Sequence, residues 1–578
     1  MHHALLIPDI LDCIFEYIKV DGVRDSYPTL FALARTCSAL SEVSLDALWS
    51  DLESLYPLMS CIYRANMKFL NEACIPNVSY LLEAKPVVEC SQRTAGADND
   101  AIDLSVFHKH AYRVRRLSLS MPHGGAVAED LGVFHALQVP YPLFPNLTHL
   151  EWNDGLGLSP IWPLLNPHLR SLRIPMGLWT SGSTPLSLSR IQGLCPELRS
   201  LTLRVPVRAR SEERAVADVC FSRLIGSWQK LEELDCSPMS CDSVTSLCGL
   251  SSLKVLRLRV DDSFVLLPAN SLSFPSLRTF HVDAGSPVAT FSLLQAMRAL
   301  PKSIRIDRTM SLFGGGVHHD PETAGLILRL IGQNAPCELE RFSMAFPGYP
   351  EGSPFNVSDM LQPLLRFSNL RALKITVQSQ FTLLDDDLHT MASAWPQLEE
   401  FELIDFPVYG HSSFVNEPAF IPTPPPPLPP PSPPPGLPQA FPPPPPPLPP
   451  LPPPPIHPLF GYPYRHRTAD TTFHGLILLL RLCPRLRFFH VVIDATKLDG
   501  LRNDKPGGGV CNRRVRHVKL IDSPISDPEA VARILLDILP ELESVLGSHT
   551  PPFIHEGWIR VQEIIRAAKE ATVAGPVT

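Results

Sequence analysis

The stretch LCPELRSLTL, Leu194 to Leu203, decides how the chain folds, because its pattern returns along the sequence with other letters in the same roles. With Leu198, the first Leu of the closing LxxLxL, as an anchor, equivalents stand at Val114, Leu147, Leu169, Leu231, Leu253, Leu277, Leu339, Leu370, Leu398, Leu486 and Val515. Most intervals lie between 22 and 33 residues. A unit of near-constant length that carries an apolar triplet cannot bury it alone, so neighbouring units must stack. Within a unit the period changes. In LEELDC, Leu231, Leu234 and Cys236 alternate as the inward face of a strand. In SEERAVADVCFSRLIGSW, residues 211–228, Val216, Val219, Cys220, Leu224 and Ile225 share one side at helical spacing. Pro two residues before the anchor, at Pro145, Pro167, Pro196, Pro275, Pro396 and Pro484, ends the helix and admits the strand. The expected fold class is α/β: a curved solenoid with parallel strands on its concave face and helices on its convex face.

Two intervals break the rhythm. Leu277 to Leu339 is a double step of 62 residues, and the weak ALPKSIRI around Ile304 and Ile306 is expected to fill it. Leu398 to Leu486 spans 88 residues and holds one helical half, ADTTFHGLILLLRLCP, beside a foreign segment rich in the chain's 64 prolines. Pro neither donates to a ladder nor continues a helix, so residues 420–458 are expected to be polyproline II or disordered. Within them Phe441 followed by Pro442, Pro443, Pro444 and Pro445 resembles the FPPPP ligand of EVH1 domains, Pro426-Pro427-Leu428-Pro429 resembles a WW-type ligand, and a profilin-type binder is a third candidate. A tolerated low-complexity expansion explains the same composition. Beyond it, Ser526-Asp527-Pro528-Glu529 reads as a capped helix start, and Trp558, Ile559, Val561, Ile564 and Ile565 as a helix closing the last unit.

The amino-terminal part has another character. Ile7, Ile10, Leu11, Ile14, Phe15 and Ile18 recur at helical steps after Pro8, and a turn-rich break is expected over 21–28. TLFALARTCSAL, 29–40, then aligns Leu30, Leu33, Ala34, Cys37 and Leu40, and SLDALWSDLESLYPLMSCI, 44–62, reads as a third helical run. Three short helices enclose little apolar surface, which points to a partner.

The spacing of IPxIL..IF, LARTC.AL and LDALW resembles the F-box of the large F-box and leucine-rich-repeat families of mushroom-forming fungi. Likewise, Leu194-Cys195-Pro196 and Leu482-Cys483-Pro484 resemble cysteine-containing leucine-rich repeats of F-box proteins, although the Asn many such repeats place after the strand is largely missing. The resemblance implies a substrate-recognition adaptor of an SCF-type ubiquitin ligase. Its F-box would dock on the S-phase kinase-associated linker protein, which joins it to a cullin, while its repeats hold a target protein. Ile7, Pro8, Leu11, Ile14, Phe15, Leu33, Cys37 and Trp49 would form or support the docking patch. The expected organisation is an F-box over 1–62, a connector over 63–111, repeats over 112–408, the proline-rich insertion over 409–463, further repeats over 464–550 and a capping helix with tail over 551–578. Arg173, Thr202, Asp235, Arg257, His281, Lys374, Glu402 and His490 fall between inward positions of their strands and are the candidate target-binding residues. A repeat scaffold with no ligase role, tied to cytoskeletal proteins through the proline segment, is the alternative.

Other classes find little support. The net charge of −8 is spread without a basic block, against nucleic-acid binding, and no apolar run is long enough for a membrane span. The opening MHHALLIPDILDCIF lacks Lys or Arg before its apolar run and is interrupted by Asp9 and Asp12, so a cytoplasmic or nuclear protein is expected. Thirteen cysteines without a CxxC pair read as buried free thiols. Gly410-His411-Ser412-Ser413-Phe414 lacks the closing Gly of a nucleophile elbow, and the triple glycines at 314–316 and 507–509 lack a following Lys-Ser/Thr. No catalytic residue, metal or cofactor is expected.

Overall fold

The structure is a computed structural model, and it describes residues 10–11, 13–15, 18, 23–65, 104–119, 131, 134, 139–152, 159–175, 190–204, 221–222, 225–236, 240–260, 267–284, 286–308, 321–346, 355–377, 381–405, 470–501, 505–520, 523–545 and 556–573. The chain divides into two compact units, Met1–Ala345 and Phe346–Thr578.

In the first unit, strands follow one another along the sheet in the order of the sequence: β1 (Asp51–Leu52), β2 (Arg116–Leu119), β3 (His149–Trp152), β4 (Ser171–Pro175), β5 (Ser200–Arg204), β6 (Glu233–Cys236), β7 (Val255–Val260), β8 (Thr279–Ala284), β9 (Ser303–Arg308) and β10 (Arg341–Phe346). Each pairs in parallel with the next. Sequential parallel pairing is what stacked repeats produce, and it establishes the α/β leucine-rich-repeat solenoid. Strand β9 occupies the weak ALPKSIRI stretch, with Ile304 and Ile306 buried, so the double interval holds a full repeat. Helices of this unit include α1 (Val23–Ala34), α2 (Ser38–Ser50), α3 (Tyr56–Ala65), α4 (Ser105–Ala111), α5 (Cys241–Leu247), α6 (Pro287–Ala296) and α7 (Pro321–Asn334), and the described residues among 10–18 are helical as well.

The second unit repeats the plan, with β12 (Ala372–Val377), β14 (Glu400–Asp405), β15 (Phe488–His490) and β16 (His517–Lys519) paired in parallel, and β11 (Phe355–Asn356) paired separately with β13 (Phe381–Thr382). Its helices are α8 (Val357–Leu361), α9 (Asp385–Ala394), α10 (Phe473–Leu482), α11 (Pro528–Ile538) and α12 (Glu556–Val573). Asp527 caps α11 by accepting from the Ala530 amide, with Pro528 in the first turn. Trp558 of α12 is buried and donates through Nε1 to the Ser523 carbonyl at 2.7 Å.

The anchors do the work their spacing demanded. Val114, Leu147, Leu169, Leu198, Leu231, Leu253, Leu339, Leu370, Leu398, Leu486 and Val515 are all buried, and Leu277 is half-buried. Burying one such side chain is worth about 1.5–3 kcal/mol. Entry into the strand is a tight turn in which the anchor amide donates to the carbonyl three residues earlier, as in Leu169 to Asn166 and Leu398 to Trp395. The recurrent proline is the second residue of that turn, where its fixed φ is already correct. The carbonyl just after most anchors then receives two amides of the next repeat: Arg170 O accepts from Arg199 N at 2.8 Å and Ser200 N at 2.9 Å.

Three amino-terminal expectations need correction. The break over 21–28 gives way to helix from Val23, with Pro28 inside α1. The run 29–40 is two helices, because α1 ends at Ala34 and Cys37 is the extended cap of α2. The run 44–62 is also interrupted: Asp51–Leu52 becomes β1 and pairs with Arg116–Leu117, so the first sheet strand comes from the end of the helical module. Thiol burial was also overestimated: of the described cysteines, Cys195, Cys236 and Cys483 are buried, whereas Cys13, Cys337 and Cys511 are exposed.

Candidate functional site

Parallel register with alternating side chains makes rows of outward residues, one per strand. In the first unit one row runs Ser118, Glu151, Arg173, Thr202, Asp235, Arg257, His281, Arg305 and Ser343 from β2 to β10. In the second, Lys374, Glu402, His490 and Lys519 align on β12, β14, β15 and β16. All eight candidate target-binding residues fall in these two rows, Arg173 to His281 in the first and Lys374 to His490 in the second. Their accessibility differs. Arg173, Arg257 and Lys374 are exposed, but Thr202 is only 7% and His490 only 8% exposed, so neither offers much to a partner.

The rows are laced by ion pairs across strands. Arg173 meets Glu151 at 2.9 Å, Lys374 meets Glu402 at 3.0 Å and Arg259 meets Asp283 at 3.0 Å. Asp307 accepts from His281 Nε2 at 2.9 Å and from Arg305 at 2.7 Å. Burial pulls the Asp307 carboxyl upward, but these two donors outweigh it and hold its pKa below the ordinary range. Arg305 was absent from the expected set because its repeat is weak in sequence.

Side chains three residues before the anchors hold this scaffold from inside, and sequence reasoning missed their role. The buried Asn166 donates to the carbonyls of Phe144 and Leu147, both at 3.0 Å, and accepts from the His168 amide at 2.7 Å. Asn512 repeats the arrangement with Leu486 O and the amides of Arg514 and Val515. In LCP units cysteine fills the same position. Burial pushes the Cys483 thiol up to about 12, so it stays protonated and donates toward Trp395 O at 3.4 Å. Trp395 donates through Nε1 to Leu364 O at 3.1 Å. The signal was present: Asn166, Cys195, Trp395, Cys483 and Asn512 share one offset from their anchors.

At the amino terminus Leu11, Phe15 and Leu30 form a small core, against which Ile18, Leu33, Leu40, Val43, Ala47 and Leu48 pack. Ile10, Ile14 and Phe31 are left 38%, 37% and 55% exposed. Leu11 and Phe15 therefore support the module from inside, Ile14 faces out, and Leu33 and Cys37 are half-buried. Trp49 faces the repeats instead, stacking on His110 of α4 at 4.1 Å between ring centroids. Arg113 pairs with both Glu42 and Asp46 of α2, and the Arg115 amide donates to Ser50 O at 2.8 Å. Ile7 and Pro8, and Phe441 with Pro442 to Pro445, lie outside the described residues.

Among the described residues no group of His, Cys, Asp and Glu is placed to hold a metal ion, and no helix is long and apolar enough to cross a membrane. No family model and no curated protein matches the sequence. Among solved structures, an internalin from Listeria monocytogenes is similar at 12% identity over 53% of this chain and 87% of that chain, with a TM-score of 0.24. So distant a likeness carries no argument, and the fold rests on strand order and register.

Proposed function

We propose that the protein is a substrate-recognition adaptor of an SCF-type ubiquitin ligase, with an F-box at its amino terminus and a target bound by its repeats. The observation that carries this reading is the helical module of residues 10–50, which closes a small core over Leu11, Phe15 and Leu30 yet leaves Ile10, Ile14 and Phe31 to solvent. Large apolar side chains left exposed on so small a module suit a permanent partner. The partner is the S-phase kinase-associated linker protein, through which a cullin is reached. The chain contributes proximity between target and ligase and no chemistry of its own. This role implies residence in the cytoplasm or nucleus.

The deciding experiment is co-purification with the linker protein. Ile14→Ala combined with Phe31→Ala should weaken association at least about tenfold, because exposed apolar anchors dominate such interfaces, while leaving the buried Leu11 and Phe15 in place. Undiminished association of the folded double variant overturns the assignment. The scaffold alternative predicts that deletion of residues 409–463 removes polyproline-binding partners, whereas ligase assembly survives that deletion.

A further inference from the structure

Charge is not evenly spread over the outward face of the first unit. On β2 to β5 and the residues leading into them, the charged outward arginines are Arg115, Arg116, Arg170, Arg173 and Arg199, against the carboxylates of Glu151 and of Glu197, the latter held by Lys230 of the following repeat and also near Arg170 and Arg199. All five arginines are exposed. The next strand reverses sign with Glu232, Glu233 and Asp235. Arg173, Arg116 and Arg199 have carboxylate partners in Glu151, Asp51 at 3.7 Å and Glu232 at 3.4 Å. Arg115 and Arg170 have none among the described residues. His149 has its pKa pushed down first by partial burial and then by Arg116 and Arg170, with Asp51 opposing.

The floor beside the arginines is small and hydroxylated: Ser118, Ser171 and Ser200, each half-buried. Neighbouring strands lie about 4.8 Å apart, so this sector spans roughly 14 Å, the length of four or five extended residues. The backbone beneath the arginines is locked, since the carbonyls of Arg115 and Arg170 each accept two amides of the following repeat. A guanidinium fork matches a carboxylate with two parallel hydrogen bonds.

We infer that the β2–β5 sector docks an acidic segment of the target protein, its carboxylates bridging Arg115, Arg170 and Arg199 while its backbone lies over the hydroxyl floor. This rests on the reading of the repeats as a recognition surface and is independent of the F-box. A nucleic acid fits less well. Among the described residues of these four strands no Phe, Tyr or Trp faces outward to stack a base, and Glu151 sits within the sector.

The test uses the full-length protein and a fluorescein-labelled peptide of about a dozen alternating Glu and Ser residues, beside its Gln-for-Glu counterpart, followed by anisotropy. The acidic peptide should bind and the neutral one should not, with affinity falling as salt rises. Arg115→Gln with Arg170→Gln should weaken binding at least about tenfold, Arg199→Gln alone should weaken it less, and Lys374→Gln in the second unit should leave it unchanged. Circular dichroism establishes that each variant is folded; should the double variant unfold, Arg199→Gln decides. Failure of the wild type to bind, equal binding of both peptides, or unchanged affinity in the folded variants overturns the proposal. Tighter binding of single-stranded DNA that the same substitutions abolish overturns it in favour of a nucleic acid. Linker-protein association, measured in parallel, is unaffected by these substitutions and so reports separately on the ligase reading.

Discussion

Single side chains settle whether a repeat closes. Asn166 serves two carbonyls and one amide in the interior at 1% exposure. Asn166→Ala should destabilise the first unit by about 2–4 kcal/mol, read from the urea midpoint, because each stranded buried group costs 1–3 kcal/mol. His110 gives a pH signature. Burial, then the charges of Arg113 and Lys109, lowers its pKa below the ordinary 6.5 of a histidine. The unfolded chain therefore takes up a proton as pH falls through about 6.5 while the folded one resists, so stability drops with pH from there down to the folded pKa. His110→Phe keeps a ring against Trp49 and should flatten that part of the stability profile, followed by thermal melts between about pH 5 and 7.

Elements respond to neighbours as well as to their own periodicity. The proline insertion leaves after β14 and the chain returns before α10, yet β14 and β15 pair directly, Glu400 opposite Phe488. Asp385 fastens the two sides, accepting from Thr472 N and Oγ1 at 2.7 Å each, while Thr471 donates to Leu383 O at 2.6 Å. Deleting residues 409–463 should therefore leave the melting temperature within a few degrees of wild type. Gly475 is buried under the Asp385 side chain, where a Cβ would collide with the carboxylate. Gly475→Ala should loosen this fastening and raise amide exchange in α10 at a cost of about 1–3 kcal/mol. The broken helices near the amino terminus show the converse. LARTCSAL and LDALWSDLESL keep helical spacing, but Cys37 adopts an extended backbone and Leu52 takes a place in the sheet, since pairing with Leu117 satisfies backbone groups a helix end would leave open.

At the scale of the first unit, the helical module doubles as the end cap of the sheet. β1 covers the edge of β2, Arg113 holds α2, and Trp49 stacks on α4. Removing residues 1–52 exposes that edge, and the truncated protein should self-associate, eluting early in size exclusion. The sequence by itself determined the repeat, its α/β alternation, the buried anchors and the outward rows, because a strand's two-residue period and a repeat's fixed length are local properties written in apolar spacing. It also marked the Pro-led turn and the capped start of α11. Only the tertiary structure decided that Asn166, Cys483 and Trp395 share one task, that Thr202 and His490 are nearly covered, that Trp49 turns toward the repeats, and that arginines from separate repeats gather on β2–β5. Those properties depend on which residues lie side by side on adjacent strands, and register between units 22 to 33 residues apart is fixed by packing and hydrogen bonding across the stack.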